Sequence, residues 1–184
     1  MDRQPILEGE RLRLRPLVEA DWGALFAVAP DPQIWARHPS HDRWQESVFR
    51  TFFEEALAGG GALVIVDKAT NALIGSSRFG EMEAKLPDAV EIGWSFLARP
   101  YWGGGYNNAE FKRLMLAHAL AHVSRVLFQV GADNVISRRA MANIRGVLLP
   151  GPGPVYERCG VMVEHVVFEI TRDSFATGPL AARA

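Results

Sequence analysis

The residues best suited to chemistry in this sequence lie in one glycine-rich segment, Tyr101–Asn108. Gly103, Gly104 and Gly105 are consecutive, a strand-like run (Val90–Leu97) precedes them, and an amphipathic run follows. Three glycines let the backbone turn without Cβ obstruction, so several N–H groups can point into one concavity at the positive end of the following helix. The pattern predicts a phosphate or pyrophosphate site, although a glycine run can also be only a flexible turn.

Two common phosphate motifs do not match this segment. A Walker loop needs Gly-Lys followed by Ser or Thr, and the dinucleotide fingerprint needs glycine at the position of Asn108. Neither requirement is met. The sequence therefore argues against a nucleoside triphosphate or a nicotinamide cofactor.

The histidines and the single cysteine indicate no metal site. His38 and His41 lie three residues apart, but Pro39 interrupts any helix between them and no cysteine is near. His118 and His122 are better explained as packing residues of the helix after the glycine loop. Cys159 rules out an internal disulfide and has no recognisable nucleophile context.

The whole chain sets wider limits. Its 184 residues fit one domain, and 20 Lys+Arg balance 21 Asp+Glu, so no global field favours nucleic acid or an anionic membrane. The N-terminus has no apolar segment of signal-peptide length, and no later run approaches the ~20 apolar residues that a bilayer requires. We therefore expect a cytoplasmic monomer or homodimer with no nucleic-acid or membrane partner.

Apolar periodicity predicts a mixed α/β chain in the order β-α-α-β-β-β-α-β-α-β-β. The clearest predicted strands are Leu12–Leu17, Ala62–Val66, Leu73–Phe79, Val90–Leu97, Val126–Val130 and Val163–Ile170. The predicted helices are Glu19–Val28, Gln45–Ala58, a helix buried through Phe111, Leu114 and Met115, and Val135–Ile144. Asp31-Pro32 is expected to break helical structure, and 149–154 to form a loop. One domain over residues 1–176 with a loose tail at 177–184 is predicted.

Three separated segments carry a family resemblance. Glu91–Leu97, Tyr101–Tyr106 and the pair Asn134 and Ser137 occur in an order that resembles the GNAT superfamily of acyl-CoA-dependent N-acetyltransferases. Within it, the chain is similar to the branch that acetylates serine or alanine at the N-termini of ribosomal proteins. The resemblance runs from about Leu7 to Phe175.

The resemblance implies a mostly antiparallel, twisted sheet of about seven strands with four main helices. Its fourth and fifth strands would be parallel and splayed, with acetyl-CoA as co-substrate in the gap and no metal. The amide-rich pantetheine arm can satisfy backbone groups that the splay leaves unpaired. The implied cofactor-binding residues are Ser95, Phe96, Leu97, Trp102, Gly103, Gly104, Gly105, Tyr106, Asn107, Asn108, Asn134 and Ser137.

The same resemblance assigns catalytic roles. Glu91 stands where the branch has its general base, and Ser137 could protonate the departing thiolate, because Met141 replaces the tyrosine that many members use as acid. The alternatives are that Glu91 is a solvated strand carboxylate and that Ser137 only caps a helix.

The acceptor side is less defined. In the family, the segment between the first two helices borders the acceptor cleft, which implies roles for Trp35, His38, Arg43 and Trp44; packing under a loop would explain the tryptophans equally well. The acceptor could be a protein N-terminus or a small-molecule amine. The glycine loop lacks the family's usual basic or amide side chain, so a catalytically weak acyl-CoA-binding or regulatory domain is the alternative function.

Overall fold

The computed structural model describes residues 1–81, 88–103 and 107–181. Within these ranges it contains nine strands and six α-helices. The strands are β1 (Leu7–Glu8), β2 (Leu12–Pro16), β3 (Ala62–Asp67), β4 (Leu73–Phe79), β5 (Ala89–Leu97), β6 (Arg125–Gly131), β7 (Val147–Leu148), β8 (Val155–Arg158) and β9 (Val161–Thr171). The helices are α1 (Trp22–Val28), α2 (Pro32–Trp35), α3 (Glu46–Ala58), α4 (Asn107–Leu120), α5 (Val135–Asn143) and α6 (Arg172–Ala176).

The strands form one sheet in the order β1-β2-β3-β4-β5-β6-β9-β7, and β8 pairs with β9. Every neighbouring pair is antiparallel except β5 and β6, which are parallel. This confirms the predicted mixed α/β class with a mostly antiparallel sheet and one parallel pair. No helix in the described ranges is long and apolar enough to cross a bilayer.

A β-bulge lies in the middle of β5. Arg78 of β4 pairs with Gly93, and Ser76 pairs with Phe96, so Trp94 and Ser95 together oppose the single residue between Ser76 and Arg78. Trp94 has a φ of 54°, a conformation that L-residues rarely adopt and that bulges accommodate. The extra residue reverses the alternation of β5 side chains between the two faces of the sheet.

The two faces of the sheet carry separate apolar cores. One core packs α4 onto the sheet through Phe111, Leu114 and Met115, and it includes Val90 and Ile92 of β5. The other packs α1 and α3 onto the opposite face, and it includes Phe96 from beyond the bulge. Because strand residues alternate in direction, Glu91 points to the α1 and α3 side.

The predicted counts of seven strands and four helices are too low for the described chain. Three short strands, β1, β7 and β8, received no bounds from the sequence, and the predicted order held only one further strand in their place, between α5 and β9. Each has two to four residues, too few to show periodicity. β8 and β9 form a hairpin directly after the proline-rich loop. The six strands named from the sequence are all present, with boundaries shifted by a few residues.

The predicted break at Asp31-Pro32 is present, because α1 ends at Val28 and Asp31 is not helical, but Pro32 does not lead into a loop. Pro32 is instead the first residue of α2, and the Asp31 side chain caps the helix by accepting from the Gln33 N–H at 2.9 Å. A proline is well tolerated at this position, where its missing N–H would have no partner inside the helix.

The chain after α6 is not loose as far as it is described. Leu180 is only 3% exposed and belongs to the core under α4. The Ala181 N–H donates to the Gly178 carbonyl at 3.2 Å. The expectation of a loose tail at 177–184 therefore fails for residues 177–181, because an apolar side chain anchors them; 182–184 lie outside the described residues.

Candidate active site

The parallel strands β5 and β6 pair over only three positions. The paired residues are Ala89 with Arg125, Val90 with Val126, and Glu91 with Leu127. Beyond Glu91, β5 continues along β4 to Leu97, and β6 continues along β9 to Gly131. The two strands thus separate beyond Glu91, and the edges that face each other across the gap are not paired with one another.

Leu97 presents its backbone to this gap. Its partner on β4 is Gly75, while the next residue, Ala98, donates its N–H to the Ile74 carbonyl at 2.8 Å. Backbone groups alternate in direction along an antiparallel ladder, so those of Leu97 point away from β4. Trp102 Nε1 donates to the Leu97 carbonyl at 2.8 Å, which leaves the N–H as the group of Leu97 best placed to bind a ligand.

Ser95 and Phe96 use their side chains within the protein. Ser95 Oγ shares a 2.8 Å hydrogen bond with Ser77 Oγ on β4. The Phe96 ring is 6% exposed and lies 5.0 Å from the Trp35 ring, centroid to centroid. Any contact of Ser95 with a ligand in the gap would therefore be made by its backbone. The Phe96 backbone, one residue before Leu97, points toward β4 by the same alternation, so the structure does not bring Phe96 to the gap.

The glycine loop connects β5 to α4. Gly103 has a φ of +77°, the left-handed region that favours glycine, and open space surrounds the position of an added Cβ. Three residues assigned to pyrophosphate binding, Gly104, Gly105 and Tyr106, lie outside the described residues. α4 begins directly afterwards at Asn107, with Asn108 exposed in its first turn. The predicted order of strand, glycine loop and helix is confirmed.

Glu91 lies at the last paired position, where the gap begins. Its carboxylate oxygen Oε2 accepts a hydrogen bond from Gln129 Nε2 at 3.0 Å. The side-chain oxygen Oε1 of Gln129 in turn accepts a hydrogen bond from the Tyr156 hydroxyl at 2.8 Å. A cavity of about 410 Å³ borders this chain of hydrogen bonds. Its lining includes Glu81, Glu91, Leu127, Gln129, Tyr156 and the proline-rich loop 149–154. Glu91 is thus a half-buried, oriented carboxylate rather than a solvated one.

Asn134 and Ser137 lie in the first turn of α5, just after β6. Asn134 is the cap: its Oδ1 accepts from the Ser137 backbone N–H at 3.1 Å. Helix capping was the alternative explanation for Ser137, but Asn134 is the residue that caps α5. The Ser137 hydroxyl makes no hydrogen bond with another described residue. Met141 is 3% exposed and packs in the core.

The predicted acceptor residues do not line the cavity beside Glu91. Trp35 is 2% exposed, and its Nε1 donates to the Ala29 carbonyl at 2.8 Å, so it is a core residue. Trp44 is 43% exposed. His38 Nδ1 accepts from the Ser40 N–H at 2.9 Å, which orders the loop. The Arg43 guanidinium lies over the Phe52 ring, 4.4 Å from its centroid.

The electrostatics of this loop are unusual. Burial, assisted by the charges of Arg43 and Arg158, lowers the pKa of His38 to about 3. Burial, followed by the charges of Arg158 and Arg78, lowers the pKa of Arg43 to about 10. His38 is consequently neutral at physiological pH, and positive charge is concentrated around it.

Comparison with known proteins identifies the family. The acetyltransferase (GNAT) domain matches residues 11–146. The chain belongs to the GNAT family of acetyltransferases. As a GNAT protein it is an acyl-CoA-dependent acetyltransferase.

Several solved GNAT-like structures resemble it. A protein from T. thermophilus assigned as an acetyltransferase is 26% identical, with 97% of this chain and 96% of that chain covered and a TM-score of 0.75. Mycobacterium smegmatis RimJ, in complex with CoA-disulfide, is 17% identical over 94% of this chain and 90% of its own, with a TM-score of 0.67. Spermidine N-acetyltransferase from Vibrio cholerae, in complex with CoA and spermine, is 13% identical over 92% of this chain and 100% of its own, with a TM-score of 0.69. The last two likenesses concern the fold alone.

Sequence reasoning gave no role to four residues at or near the candidate site. Gln129 stands inside a strand that was interpreted as continuously apolar, and that single polar residue was the available signal. Tyr156 and Arg158 lie on β8, which received no bounds from the sequence. Arg78 was assigned to a strand but given no role, although a charged residue in an otherwise buried strand is a signal in its own right.

Proposed function

We propose that this protein transfers an acetyl group from acetyl-CoA directly to a primary amine, without a covalent enzyme intermediate. The observation that carries the proposal is the position of Glu91. Its carboxylate lies at the point where β5 and β6 separate, beside the 410 Å³ cavity and held by Gln129. A base at this point can meet an amine entering from the α1 and α3 side while the thioester lies in the gap.

The proposed chemistry has three steps. Glu91 takes a proton from the acceptor ammonium, directly or through water, and so produces the neutral amine. The amine nitrogen attacks the thioester carbon, and the Leu97 N–H stabilises the oxygen that becomes negative. The carbon–sulfur bond then breaks, and the thiolate takes a proton from the Ser137 hydroxyl. The nitrogen loses its second proton, which restores the Ser137 hydroxyl directly or through water. The products are the acetylated amine and CoA.

A single substitution tests the base. Glu91→Gln should lower turnover by about 10²-fold or more, with the affinity for acetyl-CoA retained, because the amide keeps the shape of the side chain but cannot accept the proton. Release of the CoA thiol with a panel of primary amines measures turnover, and calorimetry measures acetyl-CoA binding. Glu157→Gln, an exposed carboxylate on β8, is the matched control and should behave as wild type.

Two results would contradict the proposal. Unchanged turnover in Glu91→Gln would return this residue to a structural role. Binding of CoA with no thiol release on any amine would favour the alternative function, a CoA-binding or regulatory domain.

A further inference from the structure

Two arginines share one aromatic ring on the acceptor side of the sheet. The guanidinium carbons of Arg43 and Arg78 lie 4.4 Å and 5.4 Å from the centroid of the Phe52 ring. Arg78 also lies 4.9 Å from the Trp94 ring, and Arg43 lies 5.7 Å from the Trp35 ring. Aromatic faces attract guanidinium groups, so these rings hold two like charges close together.

Arg78 is buried with part of its hydrogen-bonding capacity unused. The residue is 9% exposed, and its Nη2 donates to the Phe52 carbonyl at 3.3 Å. Its Nε is buried and has no hydrogen-bond partner among the described residues. A buried, unpartnered donor on a charged group is costly, and it is uncommon unless a ligand or another group completes it.

Further basic residues face this pair from the β8–β9 hairpin. The Arg158 guanidinium lies 4.9 Å from the centroid of the Tyr156 ring, and the His165 ring lies 5.1 Å from the same ring. Arg158 lowers the pKa of both Arg43 and His38, and His165 lowers that of His38. The α2–α3 loop, β4 and the hairpin therefore bring their positive charges to one place.

No carboxylate forms an ion pair with Arg43, Arg78 or Arg158 in the described part of the chain. Four other arginines do pair with carboxylates: Arg15 with Asp21, Arg50 with Glu46, Arg99 with Asp31, and Arg125 with Glu169. Glu55 and Asp42 act on Arg43 only through charge at longer range. They raise the pKa of Arg43 by less than burial and the other arginines lower it. The cluster thus retains a positive charge that no described acid neutralises.

The cluster adjoins Glu91 from two sides. An added Cβ at Gly80 would lie 3.1 Å from the Glu91 Cβ and 3.6 Å from the Trp94 ring, whose face Arg78 covers. On the other side, Tyr156 hydrogen-bonds to Gln129, which hydrogen-bonds to Glu91. The positive cluster and the proposed base therefore lie on the same face of the sheet, joined through Trp94 and Tyr156.

We propose that Arg43, Arg78 and Arg158 form an anion-binding subsite for the acceptor, so that the acceptor is an amine that also carries a carboxylate. The proposal rests on the function proposed above and specifies its substrate class. The ammonium of such an acceptor would meet Glu91, and its carboxylate would meet guanidinium groups, which bind carboxylates through paired hydrogen bonds. A polyamine would instead place a second cation against three arginines.

Two matched acceptor series test the charge preference. One comprises 4-aminobutyrate, 4-aminobutanamide and 1,4-diaminobutane; the other comprises the dipeptide amides Ser-Glu, Ser-Gln and Ser-Lys. Within at least one series we expect kcat/KM to fall by about tenfold or more from the anionic to the neutral member, and further to the cationic one. The series that shows the effect distinguishes a small amino acid from a peptide as the source of the carboxylate. Equal rates in both series, or faster cationic acceptors, would overturn the proposal.

Variants locate the preference in the cluster. Arg43→Gln and Arg158→Gln should each reduce the ratio of kcat/KM for the anionic acceptor to kcat/KM for the neutral acceptor by about tenfold, mainly through the KM of the anionic acceptor. Arg50→Gln is the matched control, since Arg50 also covers an aromatic ring, 3.9 Å from the Trp22 centroid, but lies away from the cleft. Because Arg78 is buried, the variant made at this position is Arg78→Lys and not Arg78→Gln. An unchanged preference in both Arg43→Gln and Arg158→Gln would refute the assignment.

A binding measurement separates failure of the subsite from failure of the proposed function. If no amine is acetylated, the Ser-Glu and Ser-Lys amides are titrated calorimetrically into the CoA-loaded wild type and Arg43→Gln. Tighter binding of Ser-Glu to the wild type that is lost in the variant supports the subsite even without turnover. Equal binding of the two peptides refutes it.

Discussion

At the scale of single residues, Glu91 depends on partners that are distant in the sequence. Gln129 lies on β6 and Tyr156 lies on β8. Gln129 Nε2 donates to Glu91 Oε2 at 3.0 Å, and the Tyr156 hydroxyl donates to Gln129 Oε1 at 2.8 Å. A base that is held in one orientation can accept a proton along a defined direction. In the proposed mechanism the Tyr156 hydroxyl therefore positions Glu91 through Gln129, which the phenyl ring alone cannot do.

Tyr156→Phe tests that role. The variant keeps the ring that packs against His165 and Arg158 but removes the bond to Gln129, and a hydrogen bond of this kind contributes about 1 kcal/mol. We expect kcat to fall by about fivefold with an unchanged KM for acetyl-CoA, measured by thiol release. A kcat equal to that of the wild type would show that Gln129 orients Glu91 without help.

His38 should couple stability to pH. Its pKa is about 3 in the folded protein, against the ordinary value of 6.5, so protonation favours the unfolded chain. The stabilisation is fully present above pH 6.5 and is lost as the pH falls from 6.5 towards 3, which amounts to up to about 2 kcal/mol at pH 5. Urea unfolding at pH 7.5 and 5.0 measures this loss.

A matched variant isolates the contribution of His38. In His38→Asn the side-chain oxygen can still accept from the Ser40 N–H, but the group does not titrate. The free energy of unfolding should then change less between the two pH values than it does in the wild type. The same pH dependence in both proteins would place the effect on another group, such as His165, whose pKa burial also lowers.

Single-residue roles were only partly predictable. Glu91 and Asn134 could be singled out because family resemblance and capping chemistry mark their positions. Gln129, Tyr156 and Arg158 could not, because their importance comes from strand pairing between distant segments. Register is set by the whole sheet, and one sequence does not reveal which residue of β8 lies beside Gln129.

At the scale of elements, the glycine loop is restricted by backbone conformation rather than by space. Gly103→Val should weaken acetyl-CoA binding, because a β-branched residue is strained at a φ of +77° even though no described residue lies within 4 Å of the position of an added Cβ. Calorimetric titration with acetyl-CoA should show an affinity lowered by about tenfold or more.

Gly160→Val is the control for this loop. Gly160 has a φ of +75° and similarly open surroundings, but it lies in the turn between β8 and β9. The variant should lose stability comparably and keep its affinity for acetyl-CoA. Equal affinity loss in both variants would mean that strain, and not the loop, is responsible.

Elements with sustained periodicity were predictable, and short ones were not. α3, β3, β4 and β5 follow from runs of six or more residues with a clear apolar pattern. α2 has four residues and depends on a capping aspartate followed by a proline, a combination that also marks turns. The bulge at Trp94 leaves no signal in the sequence, because it depends on pairing with β4.

At the scale of the whole molecule, the C-terminal segment closes the core under α4. Leu180→Ala should lower the free energy of unfolding by about 2–4 kcal/mol, because it removes a fully enclosed side chain. The matched control is Leu148→Ala, a leucine that is 46% exposed on β7, for which a loss below about 1 kcal/mol is expected. Denaturant unfolding measures both, and equal losses would show that the tail contributes no packing.

The short contact between β5 and β6 also affects the molecule as a whole. Three residue pairs connect two half-sheets. One half-sheet consists of strands β1 through β5, and the other consists of β6, β9, β7 and β8. An acyl donor bound along both facing edges would take the place of an absent strand, and a ligand that binds only the folded state stabilises it. The discontinuity that would receive the acyl donor is also the seam along which the sheet is least supported, so that occupancy, rigidity and alignment of the proposed base with the thioester would rise together.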